Sequence, residues 1–150
     1  MEAGDFDAVV DVWVRSRWDA LPCLEERMGY SPEDNLRHFR DVIAMENDVW
    51  IACRDGRVVA LMAQHDRCID QLFVDPAHQG RGYGSALLAK ARERSPGGLF
   101  LFTHRRNERA RAFYEARGFH AVAFGVSPAP ESEPDVRYEW APEAATGPPA

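Results

Sequence analysis

The sequence predicts an α/β (α+β) fold, a mixed sheet with helices on both faces. Three observations carry this expectation. Segments with a helical apolar period alternate with short β-branched and aromatic runs, the element order is αα-βββ-α-β-α-ββ, and the 150 residues suffice for one core of ordinary size.

Phe6, Val9, Val10, Trp13 and Val14 fall on one stripe of a first helix over 6–18, with Asp5 as its cap. A second helix starts at Ser31-Pro32-Glu33-Asp34. There Ser31 can accept from free N–H groups, Pro32 suits the first turn, and the acids favour the positive helix end. Leu36, Phe39, Val42 and Ile43 form its apolar stripe. Asp55-Gly56 marks a two-residue hairpin turn between strands at 49–54 and 57–64. A third strand over 69–74 ends at Asp75-Pro76. A helix follows over 84–94, then a buried strand at 99–102 and a helix over 107–117 stopped by Gly118. Strands at 119–126 and 135–141 close the order around a Pro-rich loop. The expected domain spans 1–141, and the Pro/Ala/Gly-rich stretch 142–150 reads as a disordered tail.

The composition, 45% hydrophobic and 28% charged, is that of an ordinary globular protein, with no apolar run of membrane-spanning length and no signal peptide. A net charge of −6 argues against a polyanion binder, so neither nucleic acid nor membrane is expected as a partner. Three widely spaced cysteines, in no CxxC pair, fit a reducing cytoplasm. The five histidines form no metal-ligand spacing, and no metal is expected.

The most informative stretch runs from Leu72 through the strand exit to Gln79-Gly80-Arg81-Gly82-Tyr83-Gly84-Ser85. Glycines there allow positive φ and close approach of the backbone to a ligand. The first N–H groups of the following helix lack intrahelical partners and attract phosphate oxygens, with Arg81 as an added cation. A Walker loop is excluded because Gly-Lys-Ser/Thr is absent, and the element order disfavours a dinucleotide fold. Read alone, the loop could still be a glycine-rich turn that merely starts a helix.

Gln79-x-x-Gly82-x-Gly84 resembles the signature of the GNAT superfamily of acyl-CoA-dependent N-acetyltransferases. Asn107, Ala110, Phe113, Tyr114, Gly118 and Phe119 match that family's second segment at every named position. The resemblance implies a mostly antiparallel sheet; the family's usual first strand has no counterpart before the first helix, which begins almost at Met1, so either that strand is lost or the natural gene starts further upstream. It further implies acetyl-CoA as co-substrate, held with its pantetheine arm on the backbone of Phe73 and Val74. Its pyrophosphate would lie on residues Gln79, Gly80, Arg81, Gly82, Tyr83, Gly84 and Ser85, with Asn107 assisting. A primary amine then attacks the thioester directly in a ternary complex. Tyr114 is the implied general acid for the leaving thiolate.

The family's strand glutamate is absent, since no Glu occurs from 57 through 92. Asp70, set in an apolar strand where an unpaired charge is costly, is the nearest carboxylate to serve as base. His65, Asp66 or a water chain are weaker candidates. Trp18 and Tyr30 could line an acceptor pocket, although aromatics at helical spacing are more often core. His104-Arg105-Arg106 reads as solvated surface or as a contact to the CoA 3′-phosphate. A homodimer is common among similar proteins. The main alternative is a non-catalytic acyl-CoA-binding sensor or subunit, which would need no acid at Tyr114.

Overall fold

A computed structural model describes residues 5–142. Of the expected tail at 142–150, all but Pro142 lies outside the described part, as do the first four residues. Helix α1 (Phe6–Ala20), α2 (Pro22–Met28) and α3 (Pro32–His38) come first. A π-helical turn, Phe39–Ile43, and the one-turn α4 (Ala44–Glu46) extend α3. Strands β1 (Asp48–Arg54), β2 (Arg57–His65) and β3 (Cys68–Val74) follow. Then come α5 (Tyr83–Arg94), β4 (Leu99–His104), α6 (Glu108–Glu115), β5 (His120–Val126) and β6 (Pro134–Trp140). Among the described residues no strand precedes α1.

Helix α2 was not expected from the sequence. Its signals are Pro22 in the first turn and Gly29 in the left-handed conformation at the end, φ 62°. The cap at Ser31 forms as expected, with the hydroxyl accepting from Asp34 N–H and the Asp34 carboxylate from Ser31 N–H.

The sheet order is β1-β2-β3-β4-β6-β5, antiparallel except for β3 and β4. The α5 crossover makes that pair parallel. One face of the sheet packs Met62, Ile69, Leu99, Leu101 and Tyr138 against Leu87, Leu88 and Ala91 of α5 and Tyr114 of α6. The other packs Leu61 and Ala63 against Val9, Val12 and Trp13 of α1 and Phe39 and Ile43 of the π-helical turn. Helices therefore cover both faces, and the strand at 99–102 is buried as expected at Leu99 and Leu101. Trp18 departs from the expectation of a core position: it is 45% exposed, because the apolar stripe of α1 ends at Trp13 and Ser16.

Candidate active site

The parallel pair β3–β4 holds together over only two registered positions, Cys68↔Phe100 and Ile69↔Leu101. Beyond them β4 stays with β6 as far as His104↔Asp135, and β3 stays with β2 as far as Ala60↔Val74. The strands splay, leaving one edge of β3 without a strand partner. Asp75 N–H donates to Val59 O at 2.8 Å, so Asp75 and, two residues back, Phe73 turn their backbone groups toward β2. Leu72 and Val74 turn theirs into the splay. Phe73, by contrast, packs its ring beneath α1 and gives its backbone to the β2 ladder, so of the two residues expected at the cofactor only Val74 faces the open edge, with Leu72 beside it.

Two side chains already reach that open edge. Ser16 Oγ–H donates to Val74 O at 3.1 Å, and the Gln79 amide donates to the same oxygen at 3.3 Å. The sequence signal for Ser16 is a small polar residue inside the apolar stripe of α1, three residues after Trp13. Gln79 Oε1 accepts from Arg109, which also meets Asp19 at 2.9 Å, tying α6, α1 and the loop together across the splay.

The exit of β3 is pinned by Asp75. Its carboxylate accepts from Ala77 N–H at 2.9 Å and pairs with Arg15 at 2.7 Å. The Arg15 hydrogen bond, against a smaller opposing effect of burial, holds this carboxyl below the usual aspartate range. Gly80 and Gly82 then take φ values of +76° and +91°, which side-chain-bearing residues rarely adopt. A Cβ added at either would meet nothing within 4 Å: the loop is an open backbone concavity. Gly82 caps α5 without any side-chain hydrogen bond, and the first intrahelical bond runs from Ala86 N–H to Gly82 O. The N–H groups of Tyr83, Gly84 and Ser85 precede it and have no partner within the helix. Gly84 serves packing instead, since a Cβ there would lie 3.1 Å from the Phe113 ring. Arg81 is exposed at the loop. Ser85 Oγ accepts from Arg117, whose guanidinium lies 3.9 Å over the Phe113 ring.

Of the second motif, Asn107 caps α6, its side chain accepting from Ala110 N–H at 3.1 Å. Tyr114 lies on the α5–α6 face of the sheet, 7% exposed, with ring contacts to Phe113, Phe119 and Tyr138. Burial alone pushes its hydroxyl above the ordinary tyrosine value, so it stays protonated across the neutral range.

Asp70 does not occupy a buried strand position. A bulge sets Gln64 opposite Ile69 and Ala63 opposite Gln71, which leaves Asp70 unpaired and exposed, accepting from Asn47 at 3.2 Å and weakly from Gln71. His65 and Asp66 form an exposed pair at the β2–β3 turn.

On the opposite face from Tyr114, alternation along β4 aligns Phe100, Phe102 and His104. The β5–β6 loop and α2 meet the end of this row. His104 Nε2 stands 3.6 Å from Glu131 Oε2. Arg17 and the buried Glu25 pair through two 2.9 Å contacts, with Asn35 accepting from the same guanidinium. Burial raises the Glu25 carboxyl despite Arg17, and Glu131 raises it further. Tyr30 sits in the same cluster, its hydroxyl pushed up first by burial and then by Glu131. None of Arg17, Glu25, Glu131 or Asn35 carries a sequence motif; folding alone assembles them.

A family profile described as "Acetyltransferase (GNAT) domain" matches residues 45–121, half of the chain, and the chain belongs to that family of acetyltransferases. The peptidyl-lysine N-acetyltransferase YiaC of Escherichia coli is 26% identical over 122 residues, covering 81% of either chain. Among solved structures, apo YjaB of E. coli superposes with a TM-score of 0.70 at 23% identity over 93% of both chains. PaiA N-acetyltransferase of Thermoplasma acidophilum, solved with coenzyme A, gives 0.68 at 17% identity over 95% of this chain and 96% of that one. The six-stranded, mostly antiparallel sheet is the fold of these proteins, and the chain is an acyltransferase. No helix among the described residues is long and apolar enough to cross a membrane, and none of their side chains cluster as metal ligands.

Proposed function

We propose that the protein transfers an acetyl group from acetyl-CoA to a primary amine by direct attack in a ternary complex. The observation that carries this reading is the juxtaposition of an unpaired β3 edge with an uncapped glycine loop at the start of α5. An extended arm bearing amides fits the first, and a pyrophosphate fits the second. The fit is chemical as well as spatial. Val74 O already accepts hydrogen bonds from side chains that a ligand amide can replace, and the cradle offers N–H groups at a positive helix end.

In this reading Leu72 and Val74 hold the pantetheine amides, and Gln79 through Ser85, with Arg81, hold the pyrophosphate. Asn107 acts by fixing the start of α6, the helix that carries Tyr114. Acetyl-CoA supplies a thioester carbonyl whose leaving group is a thiolate. Tyr114, protonated in the neutral range, donates to that sulfur as it departs. The acceptor enters from the other face, between α2 and the β5–β6 loop, so the acid and the incoming amine lie on opposite sides of the sheet. The relative that acts on peptidyl-lysine makes a lysine side chain one acceptor to test. The same proposal takes 1–141 as one catalytic domain, active in the cytoplasm without nucleic-acid or membrane partners, and forming a homodimer that analytical ultracentrifugation would reveal.

Thermal melts with acetyl-CoA, CoA and NADH test the cofactor. A ligand at a hundred times its Kd stabilises by about 2.7 kcal/mol, a rise of several degrees for a domain this size. A rise with both CoA species and none with NADH is expected. No rise with either CoA species refutes the reading. Thiol release on adding amines separates the enzyme from a sensor that merely binds CoA.

A further inference from the structure

We propose that His104 is the proton acceptor for the incoming amine, with the Glu131 carboxylate holding that amine beside it. The inference rests on the acetyltransferase reading and deepens it. His104 closes the row Phe100, Phe102, His104 at the end of β4 that has left β3, on the face of the sheet opposite Tyr114. A base above and an acid below is the arrangement that attack on one side of a carbonyl and departure of a thiolate require.

The surroundings leave this imidazole one usable nitrogen. Nδ1 is buried without a hydrogen-bond partner, whereas Nε2 faces Glu131 Oε2 at 3.6 Å. That separation exceeds a hydrogen bond, and an ammonium group can bridge it, donating one N–H to each partner. The neighbouring charges are otherwise committed. Arg17 of α1 is spent on Glu25 of α2, and Arg27 of α2 and Arg106 after β4 are spent on the buried Glu133. Asp135 lies across from His104 in the β4–β6 register, and Tyr30 follows α2. Glu131 has no arginine or lysine ion pair among the described residues; its side chain pairs with His104 alone, while Arg27 reaches only its backbone oxygen.

In the step, Nε2 takes a proton from R–NH3+, leaving R–NH2 and an imidazolium beside Glu131. The amine nitrogen then bonds to the thioester carbon and the C–S bond breaks; the thiolate takes the Tyr114 proton, and the surplus proton on the new amide nitrogen passes through solvent to the tyrosinate, so that amide and free thiol leave and only the His104 proton remains to be released. Asp70 is less suited: the bulge turns its carboxylate out to solvent, where Asn47 and Gln71 already hydrogen-bond it.

The test uses the full chain, saturating acetyl-CoA and a lysine-bearing peptide, following thiol release between about pH 6 and 9. Calorimetric binding of acetyl-CoA is measured for every variant. The wild type should show a rate that rises with pH as the base loses its proton. His104→Gln should lower kcat roughly 100-fold, flatten that rise and keep acetyl-CoA affinity. Glu131→Gln removes the anionic acceptor that holds the ammonium beside Nε2, so kcat/KM for the amine should fall about tenfold with acetyl-CoA affinity kept. A wild-type limb and kcat in His104→Gln overturns the proposal, as does an unchanged kcat/KM for the amine in Glu131→Gln. Loss of the limb in Asp70→Asn with His104→Gln unaffected gives the role to Asp70. Absence of acetyl-CoA binding by the wild type refutes the underlying reading instead, so the two failures are distinct.

Discussion

Gly82→Ala separates the conformational role of the loop from its role in binding. Gly82 holds φ +91° and ψ 2°, and a Cβ built there touches nothing within 4 Å. No steric clash with neighbours enters, so the cost in the ligand-free protein is backbone strain alone. A left-handed conformation costs an L-residue about 1–2 kcal/mol. For a chain of this length that corresponds to roughly 3–8 °C in Tm. The binding effect is separate. The new methyl projects from the concavity that the pyrophosphate would occupy, so the rise in Tm on adding CoA should shrink by more than the ligand-free Tm falls. The assay is a pair of melts, with and without CoA, for wild type and variant. A full CoA-induced rise in Gly82→Ala would refute the placement of the pyrophosphate here. An unchanged ligand-free Tm would refute the strain argument.

Tyr114→Phe should leave stability nearly unchanged, because no described residue hydrogen-bonds its hydroxyl, and should reduce kcat at least about tenfold with CoA affinity intact. Unaltered turnover at saturating substrate sinks the assigned role. Asp75→Asn weakens the tie from β3 to Arg15 and should cost about 1–2 kcal/mol near neutrality. Because the folded carboxyl lies below its unfolded value, its contribution is present above about pH 4 and is lost as pH falls through the folded value. Stability–pH curves of wild type and variant should therefore converge in acid, and parallel curves would contradict this. Arg17→Met strands the buried Glu25 charge and should cost about 3 kcal/mol by urea unfolding. The loss should shrink on acidification as Glu25 takes up a proton, and a pH-independent loss would show that packing, not charge, is at stake.

The sequence alone determined the features that depend on near neighbours. Helical stripes, the Ser31 cap, the Asp55-Gly56 turn and the glycine loop each act through contacts within a few residues, so type and spacing suffice to read them. The two matched segments placed the glycine loop and Tyr114 in the chain for the same reason. What only the tertiary structure decided depends on pairing between distant segments. The bulge opposite Ala63 turned Asp70 outward, and hydrogen-bond phase gave the open edge to Leu72 and Val74 instead of Phe73. The cluster of His104, Glu131, Glu25 and Arg17 joins four separate segments of the chain. No local pattern encodes such a meeting, because its energy arises from burial and electrostatics that exist only once the sheet, α1, α2 and the β5–β6 loop have come together.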